Sequence, residues 1–383
     1  MTLAVAHVVT GLNVGGAEKF LCGMAVAARD HGIEPSVVCL SERGPVSALL
    51  EASGIPLTHL GMRSIWRFPF LLRRLRKTLL AIQPDLVQGW MYHGNLAATL
   101  AMRGTAVPVA WNVRQSLHRI DLFKSTTRQT IKWNARFSNA AASIIYNSQT
   151  AREQHEELGF STRAGGRIPN GVDLGHFGAG TSDRLETRAE LGIHSNDVVV
   201  LAVGRAHAIK GYDVLLQAIP RVVAANPAVR FVVAGSGTDW SEDPFSAHAQ
   251  NDQVRNATTL LGRRDDVAQL LEAADVFVSS SHTEGFPNAV AEAMASRLVC
   301  VATDVGDARL LLDGNGSVVE PGNVAGLADA LIAVTGLDIE ARRRIGAGAR
   351  LRIENEFSLD AIVAKYVDHY QSVVSAAEQG SSD

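Results

Sequence analysis

No apolar run in this 383-residue chain approaches the roughly 18 residues needed to cross a bilayer, so no membrane-spanning helix is expected. The amino terminus carries no basic residue before Lys19, which argues against a secretory signal. Only three cysteines occur, Cys22, Cys39 and Cys300; they sit in apolar runs without metal-ligand spacing, which fits a reducing, intracellular home best. There is no Asp-x-Asp pair and no His/Cys cluster at metal spacing, so neither a metal nor another cofactor is expected to carry chemistry. Acidic side chains are also missing from Ala52 to Pro84, a stretch rich in arginine.

What is present is ordinary for a globular protein, with 46% apolar and 20% charged residues. The length exceeds a usual single core, so two domains are expected. The formal net charge of −3 hides an asymmetry: residues 1–170 carry +9 and residues 171–383 carry −12. Within 61–140 stand 13 basic residues against only Asp85 and Asp121. A basic half suggests an anionic partner, but no nucleic-acid reader motif accompanies the charge, so nucleic acid is not expected as one.

Strand-like and helix-like segments alternate: strands at Leu3–Thr10, Ser36–Leu40, Ile55–Leu60, Asp85–Gly89, Pro108–Val113 and Ser143–Tyr146. Between them come helices at Gly16–Asp30, Pro45–Ala52, Phe68–Ile82, Asn95–Arg103, Ser125–Phe137 and Ser148–Leu158. Such alternation predicts a doubly wound parallel sheet. Gly, Pro and Asn cluster over Gly165–Phe177, and the pattern restarts at Val198–Val203. The expectation is an α/β protein of two Rossmann-like domains facing across a ligand cleft. Residues 1–170 would form the first, acceptor-side domain and 171–356 the second, donor domain. A helix over 357–376 would pack back on the first, and 377–383 would be a flexible tail.

Three turns could carry chemistry. Gly11–Glu18 contains Gly15 and Gly16 where the first helix opens; glycines there permit a phosphate to approach a helix N-terminus, or form a purely structural turn. This is not the dinucleotide fingerprint G-x-G-x-x-G. Gly204–Gly211 holds the corresponding place in the second domain, with Arg205 and Lys210 either as fixed cations for a diphosphate or as solvated loop charges. Glu284-Gly285-Phe286-Pro287-Asn288 with Ala289 and Glu292 places two carboxylates around a strand-to-helix turn, read either as a capped surface helix or as a ligand turn.

Taken in order, Gly15-Gly16-Ala17-Glu18, Ile168–Asp173, Val203-Gly204-Arg205 with Lys210-Gly211, Val233–Gly237, Leu261-Gly262-Arg263 and Glu284–Asn288 with Glu292 resemble one family. It is glycosyltransferase family 4, the group 1 class with the GT-B fold. The resemblance implies transfer of a sugar from a nucleotide-sugar donor, with retention at the anomeric carbon and without metal. It places Arg205 and Lys210 on the donor diphosphate, Glu284 on the donor sugar with Gly285 and the backbone amides of Phe286, Asn288 and Ala289 nearby, and Glu292 on the ribose. Gly262 and Arg263 fall where the family holds the base, and Gly15 and Gly16 where it approaches the diphosphate. Many relatives carry a histidine just after the strand equivalent to Pro108–Val113, reaching the donor sugar or phosphates; here Arg114 falls near that place. His93, assigned to the end of the preceding strand, and His118 are the other candidates for the role. Arg114, with its very high pKa, cannot act as a base.

Trp66–Ile82 sets Phe68, Leu71, Leu72, Leu75, Leu79 and Ile82 on one helical face and Arg67, Arg73, Arg74, Arg76 and Lys77 on the other, with Trp66, Phe70 and Leu80 among the cations. Trp66–Lys77 is read either as a face for an anionic membrane or as an ordinary solvated helix. The resulting expectation is a cytoplasmic enzyme, peripheral on the inner face of a membrane if that helix docks. It would extend a glycan or lipid-linked acceptor in bacterial-type surface polysaccharide or lipopolysaccharide assembly. Alternatives are a soluble transferase for a small acceptor such as a sugar phosphate, or a non-catalytic binding subunit of the same fold.

Overall fold

The computed structural model describes residues 2–13, 15–62, 68–118, 120–163, 165–180 and 183–380. The chain divides into two compact units, Met1–Gly171 with Leu359–Asp383, and Val172–Ser358.

In the first unit β1 (Leu3–Val9), β2 (Ile33–Cys39), β3 (Leu57–His59), β4 (Leu86–Trp90), β5 (Val109–Val113), β6 (Ser143–Tyr146) and β7 (Gly165–Arg167) form one sheet in the order β3-β2-β1-β4-β5-β6-β7. Every neighbouring pair is parallel. The central strands are almost continuously buried, as a sheet covered on both faces requires. One face packs Val5, Trp90 and Ile145 against Phe20 and Leu21 of the Gly16–Ala27 helix and Ile362, Tyr366 and Tyr370 of the Leu359–Gly380 helix. The other packs Val8, Val87 and Trp111 against Leu71, Leu75 and Leu79 of the Phe68–Ile82 helix and Ala97, Ala98 and Ile131 beyond it.

In the second unit β8 (Val198–Val203), β9 (Val229–Ala234), β10 (Thr258–Leu260), β11 (Val276–Ser279), β12 (Val299–Thr303) and β13 (Gly316–Val319) take the order β10-β9-β8-β11-β12-β13, again all parallel. Strand order therefore reverses between β1 and β4 in one unit and between β8 and β11 in the other. At such a reversal the loops leave in opposite directions and open a crevice at the strands' carboxyl ends, where ligands bind in open α/β sheets.

Several boundaries differ from expectation. The helix expected from Asn95 starts at Met91, because Met91 takes a left-handed conformation (φ 58°) and turns the chain directly out of β4. His93 accordingly lies in the first helical turn and not at a strand end. Gly165–Arg167, expected as part of a glycine-rich break, pairs with β6 as an edge strand. The terminal helix runs to Gly380, so 377–380 are helical and not a loose tail; 381–383 lie outside the described residues. Cys22, Cys39 and Cys300 are buried free thiols. No helix among the described residues is long and apolar enough to cross a membrane.

Candidate active site

The second unit's crevice is built by two loops stitched together through their backbones. The His282 N–H donates to the Ile209 carbonyl at 2.7 Å, and the Ser280 hydroxyl to the Lys210 carbonyl at 3.1 Å. Gly211 makes this approach possible: its φ is 60°, and a Cβ there would stand 2.0 Å from the Ser280 carbonyl oxygen. Beyond Gly211 the Tyr212–Ala225 helix begins, and the Tyr212 hydroxyl returns to the Gly204 carbonyl at 2.8 Å.

Across this seam Lys210 Nζ sits 2.6 Å from Glu284 Oε1, and the Ser281 hydroxyl donates to the same oxygen at 2.8 Å. Both charges are largely withdrawn from solvent, with 26% and 16% of their side chains exposed, so the ion pair is screened less than a surface pair. Glu284 Oε2 makes no hydrogen bond among the described residues, which leaves it for a ligand hydroxyl. The turn is fixed from the β12 side as well: Thr303 donates to the Ser281 carbonyl at 2.6 Å, and the Asp307 N–H to the Gly285 carbonyl at 3.2 Å. Ser281 and Thr303 escaped sequence reading, since lone hydroxyl residues carry no spacing signal.

The Asn288–Ala295 helix opens from this turn. Phe286 buries its ring against Phe357, so only its backbone is available to a ligand. The N–H groups of Phe286 and Ala289 have no acceptor among the described residues, whereas that of Asn288 is taken by the Phe286 carbonyl at 3.0 Å. Glu292 is half-buried, one turn into the helix. Arg205 is exposed and makes no side-chain hydrogen bond or ion pair among the described residues. Gly262 accepts the Gly235 N–H at 2.7 Å, tying the β9 and β10 loops, and Arg263 is an exposed side chain 3.3 Å from Asp265.

In the first unit Gly15 caps the Gly16–Ala27 helix, and Glu18 folds back on it: a Cβ on Gly15 would lie 2.4 Å from Glu18 Oε2. Burial raises the Glu18 pKa against a backbone hydrogen bond that lowers it. A carboxylate therefore already occupies the helix end where a diphosphate was expected, and Val14 lies outside the described residues.

Arg114, expected on the donor, lies inside the first unit. Its guanidinium bonds Asn112 Oδ1 (2.9 Å), the Tyr366 hydroxyl (2.6 Å) and Asn170 Oδ1, and stacks 4.1 Å from the Phe20 ring centre. No carboxylate pairs with it among the described residues; burial lowers its pKa, and the Tyr366 hydroxyl opposes that shift. It joins the end of β5 to the two segments where the chain leaves and re-enters this unit, through Asn170 and Tyr366, and does not present a free cation to phosphate. His118 is exposed in a turn. His93 is half-buried, with Nε2 3.2 Å from the Thr130 hydroxyl, and burial lowers its pKa. No group of three or more metal-ligating side chains occurs among the described residues.

The basic helix Phe68–Ile82 exposes Phe70 (66%) and Leu80 (47%) beside Arg73 and Lys77. Arg74 and Arg76 are not free: Arg74 donates to the Leu60 carbonyl, and Arg76 to those of Ala101 and Arg103. Trp66 and Arg67 lie outside the described residues. On the same face of the sheet, Ser125–Phe137 adds exposed Trp133 and, at i, i+4 spacing, exposed Arg128, Lys132 and Arg136.

Residues 14–176 match the model of Glycosyltransferase Family 4, and residues 197–336 that of Glycosyl transferases group 1. The chain is 26% identical over 310 residues to the UDP-Gal:alpha-D-GlcNAc-diphosphoundecaprenol alpha-1,3-galactosyltransferase of Escherichia coli, covering 78% of each. It is 38% identical over 143 residues to a D-inositol 3-phosphate glycosyltransferase of Segniliparus rotundus; that match takes in 36% of this chain and only 31% of the relative. The fold is similar to that of Anabaena HepE, crystallised with UDP and glucose, with a TM-score of 0.81, 23% identity and coverage of 97% of this chain and 100% of the other.

Proposed function

The chain belongs to the group 1 glycosyltransferases of family 4 and has the GT-B fold, and from that premise we propose a retaining sugar transfer from a nucleotide-diphosphate sugar to a glycan or lipid-linked acceptor of surface polysaccharide assembly. The observation that carries the reading is the Lys210–Glu284 pair at the strand-order reversal of the second unit. An ammonium has three donors, so Lys210 can keep Glu284 in place and still face a phosphate oxygen. Arg205 supplies the second cation, unencumbered and able to fork onto phosphate. Glu284, anchored through Oε1, offers Oε2 to a donor-sugar hydroxyl. The free N–H groups of Phe286 and Ala289 add positive ends at a helix N-terminus. Glu292 takes the ribose, and Gly262 with Arg263 the base.

In the reaction the bond from sugar C1 to the diphosphate oxygen breaks, and the acceptor oxygen bonds C1 on the same face. The acceptor's proton passes to the departing phosphate. Negative charge grows on that phosphate as the sugar becomes oxocarbenium-like, and fixed cations stabilise that state more than the ground state. The lipid-linked acceptor fits the exposed Phe70, Leu80 and Trp133 among cations, a composition suited to the cytoplasmic surface of an anionic membrane.

The test is a screen of UDP-, GDP- and ADP-sugars by thermal shift, followed by turnover of the stabilising donor in the presence of a chelator. One donor raises the melting temperature by mass action and is consumed, with a product of unchanged anomeric configuration by NMR. Glu284→Gln lowers turnover by about 100-fold or more while melting within a few degrees of the parent. An inverted product, dependence on metal, or full turnover in Glu284→Gln overturns the corresponding part of the reading.

A further inference from the structure

The first unit's crevice lies between the loops that follow β1 and β4, and the β4 side is a sharp elbow. Met91 holds its left-handed conformation at the turn, a strained choice for a residue with a side chain. Gly94 brings the following helix onto β1 so closely that a Cβ would stand 2.5 Å from the Val8 carbonyl oxygen. The Ser125–Phe137 helix braces the elbow, with Asn134 Nδ2 donating to the Tyr92 carbonyl at 2.9 Å. His93 stands on this elbow, and Thr130 of the same bracing helix contacts its Nε2 at 3.2 Å.

The hydrogen bonds decide the tautomer. Thr130 has one hydroxyl proton, and its oxygen lies 2.9 Å from the Thr126 carbonyl, which can only accept. Were that proton turned toward His93, two acceptor oxygens would face each other at 2.9 Å with nothing between them. The proton therefore goes to Thr126, and His93 must donate from Nε2. In the neutral ring Nδ1 is then a bare lone pair, and it makes no hydrogen bond among the described residues. A neutral nitrogen acceptor repels phosphate oxygens and attracts hydroxyls.

We propose that His93 Nδ1 binds a hydroxyl of the sugar acceptor, and that Thr130 is the positioning residue that fixes its tautomer. This rests on the glycosyltransferase reading but not on the identity of the donor. Burial lowers the His93 pKa, which keeps the ring neutral and accepting around neutral pH.

Two measurements test it. In protein carrying ¹⁵N-labelled histidine at neutral pH, the His93 ring, assigned by its loss in His93→Phe, shows a protonated Nε2 and a bare Nδ1; a protonated Nδ1 overturns the proposal. In kinetics with saturating donor, Thr130→Val raises the acceptor KM about tenfold and Thr130→Ser restores it, while donor hydrolysis without acceptor is unchanged in both. An unchanged acceptor KM in Thr130→Val, with the parent tautomer retained, overturns the positioning role. Loss of donor hydrolysis in Thr130→Val overturns it too, because the effect is then not confined to the acceptor. Absence of donor turnover in the parent protein is a distinct result and counts against the glycosyltransferase reading itself.

Discussion

The two units share one plan and spend it differently. Each is a parallel sheet whose strand order reverses once, and in each candidate site residues stand on the loops flanking the reversal. In the second unit those loops hold opposite charges within 2.6 Å, Lys210 on one and Glu284 on the other. In the first unit the nearby cation, Arg114, is drawn inward among Phe20, Asn112, Asn170 and Tyr366, and the elbow after β4 offers a neutral imidazole instead. A lysine with an exposed arginine beside it suits a diphosphate, and a bare imidazole nitrogen suits hydroxyls. The same topology thus supports two binding chemistries through a handful of loop residues.

The largest effect that could break this division is on donor turnover. Lys210→Met removes the partner of Glu284 and one cation from the departing phosphate, and turnover falls about 100- to 1000-fold. Arg205→Ala falls less, because the exposed side chain sits in high dielectric. His93→Phe leaves donor hydrolysis intact and raises the acceptor KM. Steady-state kinetics with and without acceptor separate these outcomes. Were Lys210→Met to raise only the acceptor KM, or His93→Phe to abolish donor hydrolysis, the assignment of one substrate to each unit would be reversed.

A second contrast concerns stability. The first unit buries two histidines as neutral rings: His7, held to about 3, and His155, held to about 4, both by desolvation, with a backbone hydrogen bond opposing the shift at His155. Their unfolded rings protonate near 6.5. Above that pH neither state binds the extra proton and the contribution to stability is complete. As pH falls below it, the unfolded chain takes up protons that the folded chain refuses. Each ring then removes up to about 1.4 kcal/mol per pH unit, until pH nears 4 for His155 and 3 for His7. The second unit buries no histidine fully. Denaturant titrations at pH 7.5, 6 and 5, followed by tryptophan fluorescence, will show the midpoint falling across that window, since Trp90 and Trp111 report from the first unit's core. A midpoint that stays level between pH 6 and 5 would falsify the buried-neutral assignment.

How much of this was readable beforehand follows the same divide. The β8 strand and the Glu284–Glu292 turn were legible because apolar period and turn residues coincide there with a charge pattern. Phe68–Ile82 was found at both ends, since Leu71, Leu75 and Leu79 recur at helical spacing and the run meets Gln83-Pro84. His93 was misplaced because a left-handed methionine breaks the local rule for ending a strand, and no propensity announces it. The setting of Arg114 was not legible for a different reason. Its partners Asn170 and Tyr366 are 56 and 252 positions away, and pattern cannot show contacts that distant. Thr130 gave no signal, because its role exists only once two helices are packed.

The smallest expected effect sharpens the comparison at the first unit's outer face. Among the four cations of the Phe68–Ile82 helix, Arg74 and Arg76 are committed to backbone carbonyls, so removing them would disturb packing as well as charge. Arg73 and Lys77 are exposed and stand with exposed Phe70 and Leu80. A basic residue near an anionic surface contributes about 1 kcal/mol, so Arg73→Gln with Lys77→Gln weakens binding to phosphatidylserine vesicles by roughly 30-fold at low salt. Binding to neutral vesicles and donor turnover in solution stay the same. Equal sedimentation of parent and variant with anionic vesicles would return this helix to an ordinary solvated face and favour a small soluble acceptor. A graded loss that salt abolishes would instead give the hydroxyl-binding unit a surface that brings it to its acceptor.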